Sequence, residues 1–271
     1  MAIKPKILFV YESNHPIVVK DGLWTALDVL ESTFEIERIN IADDPKLDIP
    51  GFDFVLGWGG FCSKVDDLLQ NYKNNRVGFK IGLCLAGNVY PHGIQEYDLV
   101  FYETKWVRDF VGLKYMDCEL IQAFGYNDLV YKDLGITVKD IDYLGVGAFA
   151  RWKRWEKFLD KKGSRRVIGE FQQGNPVESQ EIWDLLEKDG VLCKDMVKPE
   201  LLNLEYNRAK TVYIPADIYG GGERAILEAR ACGCKIEIEP DNPKLKEVMN
   251  MPLWTQVDYA KKLKEAICEL L

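Results

Sequence analysis

Two segments hold the residue types and spacings that could do chemistry. The first is Asp217–Gly233, which reads DIYGGGERAILEARACG. Gly220, Gly221 and Gly222 remove every Cβ at a point where a strand would turn into a helix. Backbone N–H groups can then close on a ligand from a helix N-terminus. Glu223 and Glu228 fall in the first two turns of that helix. An anion or a polar sugar held there would meet both the helix dipole and fixed carboxylates. The second segment is Gly147–Arg154, GAFARWKR, in which a strand ends in small residues and Arg151, Lys153 and Arg154 follow. Fixed cations at a strand end suit a diphosphate, whose charge rises as it leaves. The plainer readings are a tight strand–helix turn and a solvated basic face. The two segments together favour an anion cradle.

Composition narrows the classes. The 271 residues suffice for one large or two small domains, and 47% apolar with 29% charged residues is ordinary for a globular chain. The formal net charge of −8 weighs against nonspecific binding to a phosphate backbone. No apolar run is long enough to span a membrane. MAIKPKILFV moves directly into a strand-like run without a signal-peptide pattern, and seven scattered cysteines form no CxxC pair. A reduced, cytoplasmic setting with buried thiols is expected. No metal site is expected: Cys232-Gly-Cys234 lacks a second ligand pair, and Asp140-Ile-Asp142 precedes a strand and reads as a linker turn. No G-x-G-x-x-G follows the first strand and no P-loop occurs, which disfavours a dehydrogenase or a P-loop NTPase.

The elements that must position these residues alternate. Lys6–Tyr11, Phe34–Ile41, Phe52–Leu56, Val77–Leu85, Asp98–Phe101 and Glu119–Phe124 read as strands, with helices at Asp21–Leu30 and after Ser63. A polar, irregular stretch over 127–142 approaches a boundary. A second cycle runs through Tyr143–Phe149, a helix-like RWKRWEKFLDKK, Arg166–Gln172, the helix SQEIWDLLEKD, Thr211–Ile214, the glycine loop with its helix, Lys235–Glu239 and a terminal amphipathic helix. Strands alternating with helices imply parallel sheets covered on both faces. The expected fold is α/β, with two Rossmann-like doubly wound domains, 1–135 and 136–271, facing a cleft. Ligands bind beyond the carboxyl ends of such strands and between domains.

In the first half, Gly57-Trp58-Gly59-Gly60 follows a strand and offers an aromatic for stacking on a sugar or base. His15 and His92 fall in strand-end loops, where an imidazole near its neutral pKa suits acid–base or acceptor contacts. Glu12 and Glu103 are carboxylates in similar positions. These are the acceptor-side candidates.

The two chemistry-bearing segments, in this order and spacing, resemble the C-terminal domain of GT-B-fold glycosyltransferases of family 4 (group 1). That family has V-G-R-x-x-x-x-K and later E-G-F-G-x-x-x-x-E-A-M-A-C-G. Here Val146-Gly147 leads to Lys153 in the lysine position, and Tyr219-Gly-Gly-Gly-Glu-Arg-Ala-Ile-Leu-Glu228-Ala-Arg-Ala-Cys-Gly233 matches the second motif. Asp98–Phe110 and Phe124–Asp128 are similar, more weakly, to the family's segments around the domain junction. The resemblance implies that Lys153 neutralises a donor diphosphate, Glu228 bonds the ribose, and the Gly221–Glu223 backbone approaches the donor sugar. Gly147, Gly220 and Gly222 complete this donor loop. It further implies hexosyl transfer that retains configuration, with no metal and no cofactor beyond the nucleotide diphosphate sugar. The acceptor would be a glycan, a lipid, a small molecule or, less in keeping with the charge, DNA. Two positions depart from the pattern. The family's phosphate-binding arginine falls on Ala148, and its first motif glutamate falls on Gly220. Arg151 or Arg154 is the candidate to replace the cation, and Glu223 the carboxylate. A chain in which neither does would bind a sugar nucleotide without transferring the sugar.

Overall fold

The computed structural model describes residues 4–12, 22–42, 51–58, 63–75, 80–84, 97–110, 125–172 and 174–271. The chain divides into two units: Met1–Gly125 with Trp254–Leu271, and Tyr126–Leu253. The expected strand Glu119–Phe124 and the flanks of the expected strand at 77–85 lie outside the described residues.

The first unit carries a parallel five-stranded sheet in the order β2-β1-β3-β4-β5. Its strands are β1 (Lys6–Tyr11), β2 (Glu35–Asn40), β3 (Phe54–Trp58), β4 (Lys80–Cys84) and β5 (Leu99–Phe101). Ile7, Leu8, Phe9 and Val10 of β1 are all fully buried, as a central parallel strand covered on both faces requires. Helix α1 (Gly22–Leu30) links β1 to β2, α2 (Ser63–Asn75) links β3 to β4, and α3 (Lys105–Phe110) follows β5. The chain's last helix, α8 (Gln256–Leu270), packs on α1 in this unit, although the sequence reading grouped it with the second half. Its apolar stripe of Tyr259, Ala260, Leu263 and Ile267 is buried, and the Tyr259 hydroxyl lies 3.9 Å from Cys84 Sγ of β4. An amphipathic period shows that a helix has a face to bury, not which sheet will receive it. Thr255 and Asp258 form the capping box that starts α8.

The second unit carries a parallel sheet in the order β10-β9-β6-β7-β8. Its strands are β6 (Ile141–Val146), β7 (Arg165–Gly169), β8 (Leu192–Asp195), β9 (Ala209–Ile214) and β10 (Lys235–Ile238). Its helices are α4 (Pro176–Lys188), α5 (Pro199–Arg208), α6 (Glu223–Ala231) and α7 (Pro243–Asn250). Asn175 and Asn242 cap α4 and α7, each followed by proline at the first helical position. One core cluster includes Phe149, Trp155, Phe158, Val167, Leu186 and Tyr213.

The segment RWKRWEKFLDKK is not an α-helix. It forms two 3-10 turns, Arg151–Lys153 and Trp155–Asp160, separated by Arg154 in the left-handed region at φ 51°. Long-range bonds hold it in this path. The Trp155 indole donates to the Ala148 carbonyl at 2.8 Å, and Arg154 reaches the carbonyls of Pro215 and Ala216.

Candidate functional site

The winding direction of the second sheet reverses between β6 and β9. The chain runs from β6 outward through β7 and β8, then returns to β9 on the other side of β6. Ligands of open α/β sheets bind beyond the strand ends at such a switch point. The loops leaving β6 and β9 there are 147–150 and 215–222, so the fold brings the two chemistry-bearing segments together.

Lys153 is buried, with 8% exposure. Its Nζ donates to the Gly221 carbonyl at 2.6 Å. The side chain lies along Gly147, where a Cβ would stand 3.1 Å from Lys153 Cε and the backbone sits at φ +148°. Glycine at 147 therefore serves both the turn and the passage of the lysine. Burial pushes the Lys153 ammonium down to about 8; Lys244 and Arg224 add repulsion, while Glu223 and Glu170 oppose the shift.

Glu223 opens α6 and is also buried. Its Oε2 accepts the Gly222 N–H at 2.8 Å, and its Oε1 lies 2.5 Å from Lys244 Nζ. Burial works to raise the Glu223 carboxyl, but Lys244 and then Lys153 outweigh it and hold the group below the usual carboxylate range. Lys244 is fully buried and also donates to the Gly220 carbonyl at 3.3 Å. Lys244 is not among the site residues expected from the sequence. Its signal was available: Lys244 and Val248 stand four apart on the inward stripe of α7, beside Leu245, and all three are buried.

Gly222 caps α6 at φ +155°, and a Cβ there would meet Ile214 Cγ2 at 2.8 Å. Gly220 is closed in differently. A Cβ would stand 2.5 Å from the Trp152 carbonyl oxygen and 3.0 Å from the Ala216 side chain. The Trp152 carbonyl thus occupies the space that a side chain at 220 would need.

The neighbouring arginines are occupied. Arg154 spans Asp241 with bonds of 2.7 and 2.9 Å, besides its two backbone carbonyls. Arg151 is turned toward Glu178 and Glu181 at 3.2 and 3.6 Å, with its side chain 75% exposed. Ala148 contributes its carbonyl to the Trp155 indole N–H.

Glu228 lies one turn further along α6 and is 6% exposed. Its Oε2 accepts from the Tyr206 hydroxyl of α5 at 2.9 Å, and Arg224 stands 3.9 Å from its Oε1. Burial, with the Glu228 charge adding to it, pushes the hydroxyls of Tyr206 and Tyr131 well above the ordinary phenol range. Cys232 closes the helix as a packing residue: it is buried, with Sγ on Asn203 Oδ1 at 3.1 Å.

On the first unit, His15, His92 and Gly59 lie outside the described residues. Trp58 ends β3 half-buried, and its indole N–H is enclosed without a hydrogen-bond acceptor among the described residues. Glu12 pairs with Lys64 at 2.8 Å, and Glu103 is buried just after β5. Asp140 is committed to Arg208, and Asp142 to Lys210 and Ser164. Among the described residues no group of three or more His, Cys, Asp or Glu is placed to hold a metal ion, and no helix is long and apolar enough to cross a membrane.

No family model and no curated protein matches this sequence. Solved structures do. Sucrose-phosphate synthase from Thermosynechococcus elongatus matches with a TM-score of 0.67 at 13% identity, over 98% of this chain and 90% of that one. AviGT4, a glycosyltransferase involved in avilamycin A biosynthesis, matches with 0.60 at 13% identity over 98% of both chains. Anabaena Alr3699/HepE, crystallised with UDP and glucose, matches with 0.58 at 12% identity over 96% of this chain and 89% of that one. Likeness at this level of identity speaks to fold. Two parallel five-stranded Rossmann-like units over nearly the whole length give this chain the GT-B fold.

Proposed function

We propose that the protein transfers a sugar from a nucleotide diphosphate sugar to an acceptor hydroxyl. One observation carries the reading: a buried ammonium, Lys153, stands at the switch point of the second sheet beside the glycine loop that opens α6, with Glu228 one turn on. A cation there neutralises the diphosphate as it departs, and the helix N-terminus adds partial positive charge. Glu228 holds the ribose, and the Gly221–Glu223 backbone places the sugar. The bond from the anomeric carbon to the diphosphate breaks with its electron pair going to phosphate. The acceptor oxygen bonds to that carbon and its proton passes to the leaving group. The reading is of a retaining, metal-independent hexosyl transfer. It draws support from neighbours of the same fold, among them a glycosyltransferase and a protein crystallised with UDP and glucose.

A second reading, a sugar-nucleotide binder without turnover, is favoured by Ala148 and Gly220, which stand where the family carries an arginine and a glutamate. A thermal-shift panel of UDP, GDP, ADP, CMP and their sugars separates the possibilities. Transfer predicts a selective shift followed by release of the nucleotide from one donor. A selective shift with no release across the panel supports the binder. No shift with any nucleotide contradicts both.

A further inference from the structure

The buried charges at the start of α6 form a set of three, and their arrangement is unequal. Lys153, Glu223 and Lys244 are 8%, 5% and 0% exposed. Both Glu223 oxygens are engaged, one by Lys244 at 2.5 Å and the other by the Gly222 N–H at 2.8 Å. Lys153 has no carboxylate within ion-pair distance among the described residues, and its bond is to the Gly221 carbonyl at 2.6 Å. Yet the two groups border the same open space beside Gly221. A Cβ built on that residue would lie 3.4 Å from Lys153 Nζ and 3.5 Å from Glu223 Oε2. Lys153 is the next cation after Lys244 to act on the Glu223 carboxylate.

We propose that Lys244 is a positioning residue: by holding Glu223 and the Gly220 carbonyl, it keeps the Lys153 ammonium clear of a carboxylate and available to a diphosphate. The inference rests on the reading of Lys153 as the donor's cation. With Lys244 in place the three groups carry a net single positive charge. Without it the remaining ammonium and carboxylate cancel, and a buried ion pair offers little to an incoming anion. Lys244 does for the loop what no side chain at 220 can do, because the Trp152 carbonyl occupies that space. The other charged groups acting on Lys153 are Arg224 from α6 and Glu170 from the end of β7.

The probe is UDP, which carries the diphosphate and its nucleoside but no sugar to transfer. Its affinity is measured by calorimetry at pH 7 for the wild type, Lys153→Met, Lys244→Met, Glu223→Gln and the double variant Lys244→Met/Glu223→Gln. Lys244→Met is expected to lose about tenfold in affinity, the scale of one charge-assisted contact. Glu223→Gln is expected to bind UDP at least as tightly as the wild type. The double variant is expected to recover to within about threefold of the wild type, because removing the carboxylate frees Lys153 again. In Lys244→Met the alkaline loss of UDP binding should also move to higher pH, since pairing with Glu223 favours the ammonium. A merely structural role for Lys244 would leave the double variant no better than the single one. Glu223→Gln keeps the test sharp even if Lys244→Met fails to fold. A tenfold loss in Glu223→Gln, or no recovery in the double variant, overturns the inference while leaving the donor reading intact. Wild-type affinity in Lys153→Met would instead remove the donor reading, and this inference with it.

Discussion

The carbonyl oxygen of Trp152 lies 2.5 Å from where a Cβ on Gly220 would stand. That contact turns an apparent sequence deficit into a property of the loop. Gly220→Glu should therefore not improve function. It forces a backbone group aside, an overpacking that costs roughly 1–3 kcal/mol. The Asp217 N–H bond to the Trp152 carbonyl, 2.9 Å long, would be strained with it. The expected result is a lower melting temperature and weaker nucleotide binding. Stronger turnover in Gly220→Glu would show that the loop relaxes to admit the side chain.

Lys153 gives the site a pH signature. Its ordinary value of 10.5 falls to about 8 on burial in the folded chain. Between those values the unfolded chain holds a proton that the folded chain has released, so this group's contribution to stability rises with pH across the window and is lost as pH falls through about 8. Diphosphate binding runs the opposite way, because it needs the ammonium. Affinity should fall as pH rises above about 8, and binding near that pH should take up a proton. Calorimetry in buffers of different ionisation enthalpy checks both, and Lys153→Met should abolish the uptake.

Arg154 and Arg151 should behave as structural residues. Arg154 makes four bonds to Asp241 and to the carbonyls of Pro215 and Ala216. Arg154→Ala should cost about 2 kcal/mol of stability, as lost bonds to charged groups do. At temperatures where the variant is folded, its nucleotide affinity should be unchanged. Arg151, on the surface, should tolerate alanine with little effect on stability or binding. A selective loss of diphosphate affinity in either variant would reassign it to the cradle.

Glu228 is oriented by the Tyr206 hydroxyl at 2.9 Å. Glu228→Gln should weaken UDP while leaving pyrophosphate binding unchanged, because its proposed partner is the ribose. Tyr206→Phe removes one donor from a buried carboxylate, a loss of about 1 kcal/mol. It should lower stability and loosen nucleoside selectivity in parallel. Equal losses for UDP and pyrophosphate in Glu228→Gln would contradict the ribose assignment.

Much of this was legible in the sequence because it is local. Buried parallel strands such as Ile7–Val10 write themselves as apolar runs. The glycine run before Glu223 marked the start of α6. What was not legible depends on distant partners. The path of residues 151–160 is set by bonds from Arg154 to 215, 216 and 241 and from Trp155 to Ala148, none of which has a local signature. The strand Leu192–Asp195 and the helices Pro199–Arg208 and Pro243–Asn250 escaped the reading, the helices despite their N1 prolines. Lys244 was lost with the last of these. The destination of α8 was equally hidden, since its stripe fits any apolar face.

The central claim is that Lys153 holds the donor's diphosphate at the start of α6. The most direct test is a calorimetric titration of nucleoside diphosphates into the wild type and Lys153→Met at pH 7, with both shown to be folded. The account predicts that the wild type binds one of UDP, GDP or ADP and that the variant loses at least about tenfold in affinity for it. Equal affinity in the two proteins would contradict it.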